Sequence, residues 1–512
     1  MKKLHILLVL SLITLVWTAC KKELLTEASF EDYVFTSLDA DGGTWETTLI
    51  IAPADVTIAA PEDVSSLAYQ AELATLRDQV SGQSNAQKEI VDYWTNNPLL
   101  RWNEIALELA AKYNLIPPPN PDGTYTLPNP ADPGAKPNFP FAHPPYTSRM
   151  LAYLSTAQYD ALITAWHYKY QFNRPAPFKT DPSITTAYAD NNLPSYPSDG
   201  AAIATVSQAI LGAMFPLEKD YLADLAAEHL ASLAWAGVAV ESDVQAGVAI
   251  GTAISQAALA RASTDGMSKA QTPKPVSDSI KTAAKTLYGW QWDNLETPVR
   301  GVGLAPLFGN VRTWNLPSVL LTRPPVPPAP GSPAFEEAAQ ELKDIQKNLT
   351  EGQRKIANWW SDGLGSYTPP GHWNRFAKDL IIQYRMNPLR AARTMAYMNQ
   401  AIQDAGITCW DAKYHYHYPR PIQAIPGFKT ILGTPNFPAY TSGHSTFSAA
   451  AAEVLSYIFP TETARCQAWA EEAAMSRVYG GIHYRFDAEA GLTQGRDAAV
   501  FTIEKAKADG AD

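Results

Sequence analysis

Three stretches near the C-terminus decide how this chain is interpreted: WDAKYHYHYPRP at residues 410–421, NFPAYTSGHSTF at 436–447 and SRVYGGIHYRFD at 476–487. They supply three cations, Lys413, Arg420 and Arg477. The turn Ser442-Gly443 comes just before an apolar run that favours a helix, so its backbone N–H groups would lie at a helix N-terminus. Fixed positive charges and such N–H groups are what a tetrahedral oxyanion of charge about −2 or −3 requires.

Two histidines accompany this predicted anion site. His444 opens the predicted helix, and His483 lies six residues after Arg477. Those two positions would lie on different faces of an unbroken helix, but Gly480-Gly481 between them can end one helix and start another. Asp487 follows His483 by one helical turn, where a carboxylate can hold the imidazole in one tautomer. Histidines so placed can act as nucleophile, metal ligand or general acid and base.

The spacing of these residues forms a triple motif. Its parts are KxxxxxxRP from Lys413 to Pro421, SGH from Ser442 to His444, and SRxxxxxHxxxD from Ser476 to Asp487. The motif resembles the superfamily that joins type 2 phosphatidic acid phosphatases, bacterial non-specific acid phosphatases and vanadium-dependent haloperoxidases. One departure is Thr441, where the family usually has proline before SGH. This change bears on the rigidity of the turn and leaves the ligand groups intact.

The resemblance implies a role for each residue. In the family, the histidine that matches His483 is either the phosphatase nucleophile or the vanadate ligand. We expect His444 to be the acid–base group and Asp487 to orient His483. The oxyanion-binding residues are predicted to be Lys413, Arg420, Ser442, Gly443 and Arg477. Asp362, in WWSDG, resembles an acidic residue of the soluble haloperoxidases and could pair with Lys413.

The same site could serve two reactions, because vanadate mimics phosphate. A phosphatase would attack a phosphate monoester with His483 and need no cofactor, whereas a haloperoxidase would keep vanadate on His483 and oxidise a halide with hydrogen peroxide. Trp410 and Phe437 match aromatic positions that border the vanadate in fungal chloroperoxidase-like enzymes, and they are predicted to wall the pocket. An apolar wall suits a halide and excludes bulky charged esters. The haloperoxidase is therefore favoured, with the acid phosphatase as the alternative. A third hypothesis is a non-catalytic exported binding protein on the same fold.

The remaining sequence predicts an all-α fold. Alanine-rich segments with apolar residues at helical spacing recur, for example at residues 149–166, 200–215, 335–360 and 445–459. Strict alternation of β-branched residues is scarce, and helices in such number normally pack as bundles.

The chain also repeats itself at a separation of 244 positions. The pairs include Tyr153 with Tyr397, Asp160 with Asp404, Trp166 with Trp410, Lys169 with Lys413, Ser198 with Ser442, and Asp243 with Asp487. At the chemical positions the first copy differs, since Gly200, Leu233 and Ala239 replace His444, Arg477 and His483. We therefore predict two helical-bundle repeats, of which the N-terminal one is degenerate and the C-terminal one carries the site.

These features give predicted boundaries along the chain. They are a signal peptide with lipobox at 1–20, an N-terminal extension at 21–63, the degenerate repeat at 64–270, a proline-rich linker at 271–334 and the catalytic domain at 335–512.

Composition and the N-terminus indicate where the protein works. The 512 residues carry a net charge of −11, which argues against nucleic acid or an anionic membrane surface as a partner. The family resemblance implies small-molecule partners: halide and peroxide, or a phosphate ester. Lys2 and Lys3 precede an apolar run that is shorter than the roughly 20 residues needed to span a bilayer. That run ends in WTAC, which resembles a bacterial lipobox with Cys20 as the lipidated residue. We expect an exported lipoprotein, periplasmic or anchored at the outer membrane or cell surface. Cys409 and Cys466 could pair or remain buried thiols.

Overall fold

The computed structural model describes residues 33–35, 37–95, 97–115, 143–187, 189–295 and 302–511. The predicted signal peptide and Cys20 lie outside the described residues. Within the described ranges every regular element is a helix, which confirms the all-α prediction. In the same ranges, no helix has the length and apolar character needed to cross a membrane. The described residues fall within one compact unit, residues 31–512.

The α-helices, labelled in chain order, are α1 Leu67–Ser81, α2 Asn85–Thr95, α3 Pro98–Tyr113, α4 Pro144–Phe172, α5 Pro177–Thr180, α6 Asp199–Met214, α7 Lys219–Trp235, α8 Glu241–Thr264, α9 Lys274–Tyr288, α10 Pro333–Asn348, α11 Glu351–Trp359, α12 Thr368–Gln383, α13 Pro388–Tyr416, α14 Pro421–Ala424, α15 Gly443–Ile458, α16 Thr463–Tyr479 and α17 Arg485–Lys507. Short 3₁₀ turns lie at Gly42–Thr44, Pro53–Asp55, Pro216–Glu218, Met267–Lys269, Phe308–Asn310, Val319–Leu321 and Pro460–Glu462.

Helices α4 and α13 form the centre of the fold. Each has 29 residues, starts with proline at its first position and ends before a residue in the left-handed conformation. They pack on each other along buried polar positions. Asn399 Nδ2 donates to Ser155 Oγ at 3.4 Å, and Gln400 Nε2 donates to Thr156 Oγ1 at 3.0 Å. The two members of each pair are 244 residues apart. Such self-contact between equivalent positions is what a two-fold relation between the helices produces.

The helices that follow each central helix come in the same order and nearly the same lengths. Helices α6 and α15 have 16 residues each, α7 and α16 have 17 each, and α8 and α17 have 24 and 23. Each half also ties the start of its central helix to the end of its last long helix by a buried ion pair. Arg149 meets Asp265, and Arg393 meets Asp509, both at 2.7 Å. These parallels support the predicted repeat, and superposition of the two halves stays a prediction.

The segment before each half covers a buried aspartate on the central helix. Backbone N–H groups of Thr48 and Leu49 donate to Asp160. Those of residues 314–316 donate to Asp404. Burial raises the pKa of Asp160 to about 7 and that of Asp404 to about 6, while these hydrogen bonds oppose the rise. The predicted extension and the predicted linker therefore do the same structural work in the two halves.

Two details differ from simple expectation. The predicted helical segment 335–360 is wrong as one helix, because it is divided into α10 and α11. Thr350 caps the second of these: its hydroxyl accepts from the Gln353 N–H, and the Gln353 side chain accepts from the Thr350 N–H. Of the two alternatives for Cys409 and Cys466, the structure has both as free, buried thiols.

Candidate active site

The ends of five helices bring the motif residues together. Lys413 lies in the last turn of α13, Arg420 and Ser442 are the N-caps of α14 and α15, and Arg477 lies in the last turn of α16. The Ser442 N–H donates to the Asp487 carbonyl at 3.0 Å, which ties the second motif to the third. Arg420, Lys413, Arg477 and His444 all act electrostatically on His483. The structure thus gathers the sequence-predicted residues around one imidazole.

His483 is held in a defined tautomer. Its Nε2 lies 2.9 Å from Arg420 Nη1, and its Nδ1 lies 2.9 Å from Asp487 Oδ2. A guanidinium can only donate, so Nε2 is the acceptor and Nδ1 carries the proton that it donates to the carboxylate. Burial holds the pKa of His483 well below its ordinary value, and the surrounding cations lower it further. The ring is therefore neutral and its lone pair lies on Nε2, on the side of the cations.

The backbone conformation between His483 and Asp487 differs from the prediction. His483 was expected to lie on one helix with the carboxylate, but α17 begins only at Arg485, and Tyr484 is its N-cap. Gly480 and Gly481 end α16 as predicted, with Gly481 at φ +75°. Asp487 Oδ2 also accepts the Tyr484 N–H at 3.1 Å. One carboxylate thus caps the helix and orients the imidazole, because the loop turns back onto the first turn.

Lys413 is completely buried and donates to three backbone carbonyls. Its Nζ lies 2.9 Å from Pro438 O and 3.0 Å from Ala439 O, and it also bonds Thr441 O. Burial lowers the pKa of Lys413. Three donated hydrogen bonds nevertheless require all three ammonium hydrogens, so we assign the charged form.

The two arginines are also buried and bonded mainly to neutral groups. Arg420 donates to Phe437 O at 2.9 and 3.0 Å, in addition to its bond with His483. Arg477 donates to Ser476 Oγ at 2.9 Å and to Ala357 O at 3.1 Å. Burial lowers the pKa of both guanidinium groups to about 10, which leaves them charged at neutral pH.

These three cations share one property that decides the chemistry of the site. Among the described residues, none has a carboxylate oxygen within 4.0 Å: the ion pairs of these ranges do not include Lys413, Arg420 or Arg477. Unpaired buried charges are costly, and a bound anion relieves that cost. The arrangement is therefore a candidate anion site, with the lone pair of His483 Nε2 at its edge.

His444 lies at the open side of the site. It is the second residue of α15, and its side chain keeps 16% exposure while the three cations are almost fully buried. Burial holds the pKa of His444 well below its ordinary value, Arg477 and His372 add to this, and a backbone hydrogen bond with Trp360 opposes it. Its Nε2 is buried and makes no hydrogen bond with the described residues, so this neutral imidazole is suited to accepting a proton from a bound substrate.

Asp362 occupies a different place from the one expected. Its Oδ1 lies 3.1 Å from His372 Nδ1, and its Oδ2 lies 3.7 Å from His444 Nε2, so the suggested pairing with Lys413 is wrong. His372, which stacks on Trp360 with ring centroids 4.4 Å apart, was not singled out by sequence reasoning. It belongs to no motif, and only its position directly before Trp373-Asn374, which matches Trp102-Asn103 in the first half, sets it apart.

Trp410 and Phe437 do wall the site. Their ring centroids are 4.9 Å apart. The Phe437 ring lies 5.0 Å from Lys413 Nζ and 5.1 Å from Arg420 Cζ, within the range of cation–π contact. Gly443 faces Trp410, since a Cβ at Gly443 would lie 3.6 Å from that ring. The anion site is therefore bounded by aromatic surface on the side of α13.

The SGH turn is fixed although it lacks the usual proline. Ser442 caps α15, with its hydroxyl accepting from the Ser445 N–H. Thr441 Oγ1 donates to Gln494 Oε1 on α17, and Gln494 in turn donates to Thr408 O at 3.0 Å on α13. Side-chain bonds to two helices thus hold the turn in place.

Comparison with known proteins agrees with this geometry. Residues 395–508 match the family model of the PAP2 superfamily. Over 122 residues the chain is 29% identical to the vanadium chloroperoxidase of Curvularia inaequalis, a match that covers 18% of this chain and 20% of that protein. The PAP2 match includes every residue of the three motifs and none of the first half.

Two solved structures share the fold. One is described as the first bacterial vanadium-dependent iodoperoxidase; it is 24% identical with a TM-score of 0.57, and the match covers 71% of this chain and 91% of that one. The other is a bacterial vanadium-dependent chloroperoxidase in its holo form, 14% identical with a TM-score of 0.50, covering 75% and 97%. The all-α architecture is thus shared over most of both relatives and over more than half of this chain.

Proposed function

We propose that this protein is a haloperoxidase-type enzyme that oxidises a halide with hydrogen peroxide at a vanadate bound to His483. One observation carries the proposal: among the described residues, three buried cations without carboxylate partners surround an imidazole whose Nε2 lone pair lies on their side and accepts a hydrogen bond from Arg420 alone. The names of the relatives and the aromatic wall favour the haloperoxidase over other uses of such a site.

The residues fit vanadate in both charge and donor type. Lys413, Arg420 and Arg477 would neutralise its oxygens, and His483 Nε2 would provide the single nitrogen ligand, as the fixed tautomer allows. Vanadate in this place would supply an electrophilic metal centre at which peroxide becomes reactive towards halide. The chain's own part is then limited to three tasks. The cations hold the anion, His444 takes a proton from peroxide, and Trp410 with Phe437 keeps water from the halide side.

Arg420 has a second task in this scheme. Without an anion it donates to His483 Nε2 at 2.9 Å and so occupies the nitrogen that the anion needs. Its Nε and Nη2 donate to Phe437 O, and its Nη1 also donates to Ile482 O at 2.8 Å, so these bonds can hold the guanidinium when the one to His483 is given up. We expect anion binding to exchange the Arg420–His483 hydrogen bond for a bond from Arg420 to an anion oxygen.

An acid phosphatase is the second candidate, and the same observation supports it. A neutral His483 with its lone pair on Nε2 is also a nucleophile ready to attack phosphorus. In that case no cofactor is needed. A bound phosphate that neutralises Arg477 and Lys413 would raise the pKa of His444, and the protonated imidazole would then give its proton to the leaving alcohol.

The deciding experiment uses one purified preparation in two assays. With orthovanadate, hydrogen peroxide and iodide or bromide, we expect halide oxidation that depends on all three additions. Without vanadate, we expect slow hydrolysis of p-nitrophenyl phosphate. Fast ester hydrolysis that vanadate inhibits, with no halide oxidation, would establish the phosphatase. Inactivity in both assays, despite measurable vanadate binding, would favour a non-catalytic binding protein.

We further propose that the protein is exported and anchored through a lipid on Cys20, on the strength of the short apolar run that ends in WTAC. Membrane fractionation of cells that express the Cys20→Ala variant tests this. The variant should move to the soluble fraction, and retention as tight as that of the parent would exclude the anchor.

A further inference from the structure

The degenerate half contains a cavity at the counterpart of the anion site. It has a volume of about 170 Å³. Among the residues that line it are Lys169, Ser198, Asp199, Gly200, Leu233 and Ala239. Each of them precedes by 244 positions a residue of the second-half site: Lys413, Ser442, Gly443, His444, Arg477 and His483, respectively. The two halves therefore place a site at the same point of the chain, but its lining differs.

The charges at this cavity cancel. Lys169 Nζ lies 3.8 Å from Asp199 Oδ1 and also donates to Pro194 O. Lys179 and Asp190, of which Asp190 lines the cavity, form a second pair at 3.1 Å. Because each lysine is paired with an aspartate, these groups have no net charge that would attract an ion of either sign. Its occupant must be neutral.

The walls of the cavity are mainly apolar. Phe178, Leu193, Ile203, Leu233, Val238 and Ala239 line it. A cavity of roughly 150 Å³ with walls of this kind stays dry and accepts benzene in another protein. The present volume is slightly larger, which leaves room for one ring with a small substituent.

Asn97, one of the residues that line the cavity, has a buried polar atom without a partner in the described part of the chain. Tyr33 donates its hydroxyl hydrogen to Met386 O, so it must accept the hydrogen bond that it shares with Asn97 Nδ2. This fixes the amide orientation and leaves Asn97 Oδ1 as a buried acceptor with no hydrogen bond. An occupant that carries a hydrogen-bond donor would satisfy this acceptor.

The cavity reaches the surface between two segments. Residues 33–35 and 189–191 contribute to its lining, and Val34 is 65% exposed. A small molecule can enter there without passing the second-half site.

We propose that this cavity binds a small uncharged aromatic alcohol of the size and polarity of phenol. The ring fills the apolar volume, and the hydroxyl group donates to Asn97 Oδ1. The proposal does not depend on the reaction at His483, because none of the three motif cations and neither of the site histidines lines this cavity.

Isothermal titration of the purified full chain with phenol tests this proposal. We expect one phenol per chain, with affinity at least tenfold higher than for benzoate, which adds a charge, or for toluene, which lacks the donor. Saturating orthovanadate should leave phenol binding unchanged. Displacement of phenol by orthovanadate would place it at the cations of the second half and overturn the proposal, as would equal affinity for benzoate.

Two substitutions locate the ligand. Val238→Phe should fill the cavity and weaken phenol binding at least tenfold, and the milder Ala239→Val should weaken it severalfold. The matched control is Val500→Phe, on an exposed position of α17, which should bind phenol as the parent does. Circular dichroism confirms folding of each variant. Unchanged binding in both folded cavity variants, or no saturation in the parent at millimolar phenol, refutes the proposal.

Discussion

The two halves of the molecule keep a lysine and an arginine at related positions and neutralise them differently. In the first half, Lys169 lies 3.8 Å from Asp199, and Arg174 pairs directly with Asp243. In the second half, Gly443 stands where Asp199 would be, and His483 lies between Arg420 and Asp487. The second half also adds Arg477 where the first has Leu233. Corresponding helices thus carry cations that are paired with carboxylates in the first half and cations without a carboxylate partner in the second.

This difference shows that an anion site can be made by withholding carboxylates as much as by adding cations. Both halves bury a lysine that donates to backbone carbonyls of the following loop. What distinguishes the second half is that its arginine reaches the carboxylate only through an imidazole. The histidine therefore both separates the ion pair and supplies the coordinating nitrogen. Substitutions that make the second half resemble the first should close the site.

The largest effect is expected for His483→Ala, which installs the residue found at position 239 of the first half. Arg420 should then turn onto Asp487, as Arg174 pairs with Asp243. Both the coordinating nitrogen and one open cation are lost, so vanadate-dependent halide oxidation should fall to background. The measurement is the initial rate at saturating orthovanadate and peroxide.

A matched control for that variant is His415→Ala. His415 is partly buried and meets the Tyr288 hydroxyl at 2.8 Å, outside the motif residues. Its removal should leave the rate nearly unchanged. If His483→Ala retained activity comparable with that of His415→Ala, His483 could not be the ligand or nucleophile of the site.

A smaller effect is expected for Gly443→Asp, which restores the carboxylate of Asp199. The structure has room for a side chain, since the nearest atom to a Cβ at Gly443 is 3.6 Å away. A charge about 4 Å from Lys413 at an effective dielectric constant near 20 is worth several kcal/mol, so anion affinity should fall by about 10²–10³-fold. Titration with orthovanadate measures this. Gly443→Asn has the same shape without the charge and should lose far less; equal losses in both variants would mean that shape, rather than charge, closes the first-half site.

Much of the second half could be predicted from sequence because its chemistry lies in local motifs. The Gly480-Gly481 break predicted the end of α16, and the spacing of His483 and Asp487 predicted their contact. The predicted reason for that contact was wrong, however. The two residues do not share a helical turn; instead, the N-cap at Tyr484 turns the chain so that the Asp487 carboxylate lies beside His483. Spacing alone does not distinguish these two geometries.

The parts that sequence could not supply depend on contacts between distant segments. Asp362 and His372 reach His444 only because α11 packs against α16 and α12 against α15, and no spacing rule links residues so far apart. Whether Lys413, Arg420 and Arg477 have carboxylate partners also depends on which residues lie nearby in space. The repeat gave a hint, since Asp199 aligns with Gly443, but the Lys169–Asp199 pair became visible only in the structure.

The smallest expected effect concerns protons, and it sharpens the contrast between the imidazoles of the two halves. His229, buried in the first half, has its pKa lowered to about 3 by burial alone, whereas the pKa of His444 is lowered by burial and by Arg477, His372 and Lys413. An anion that neutralises Arg477 and Lys413 should raise the pKa of His444 and leave that of His229 unchanged. A group whose pKa rises on binding takes up a proton, so affinity should increase as pH falls towards the ordinary histidine range, by at most about tenfold per pH unit for one proton.

Sulfate is the suitable probe for this linkage, because it stays a tetrahedral dianion across the range from pH 5 to 8 and contributes no protonation of its own. Titration calorimetry in two buffers of different ionisation enthalpy gives the number of protons taken up. We expect a fraction of one proton per sulfate near pH 6 in the parent and close to none in His444→Gln. Lys413 and Asp487 face the same anion, and burial shifts their pKa values in opposite directions. Uptake that persists undiminished in His444→Gln would assign the proton to that pair and remove His444 from the acid–base role.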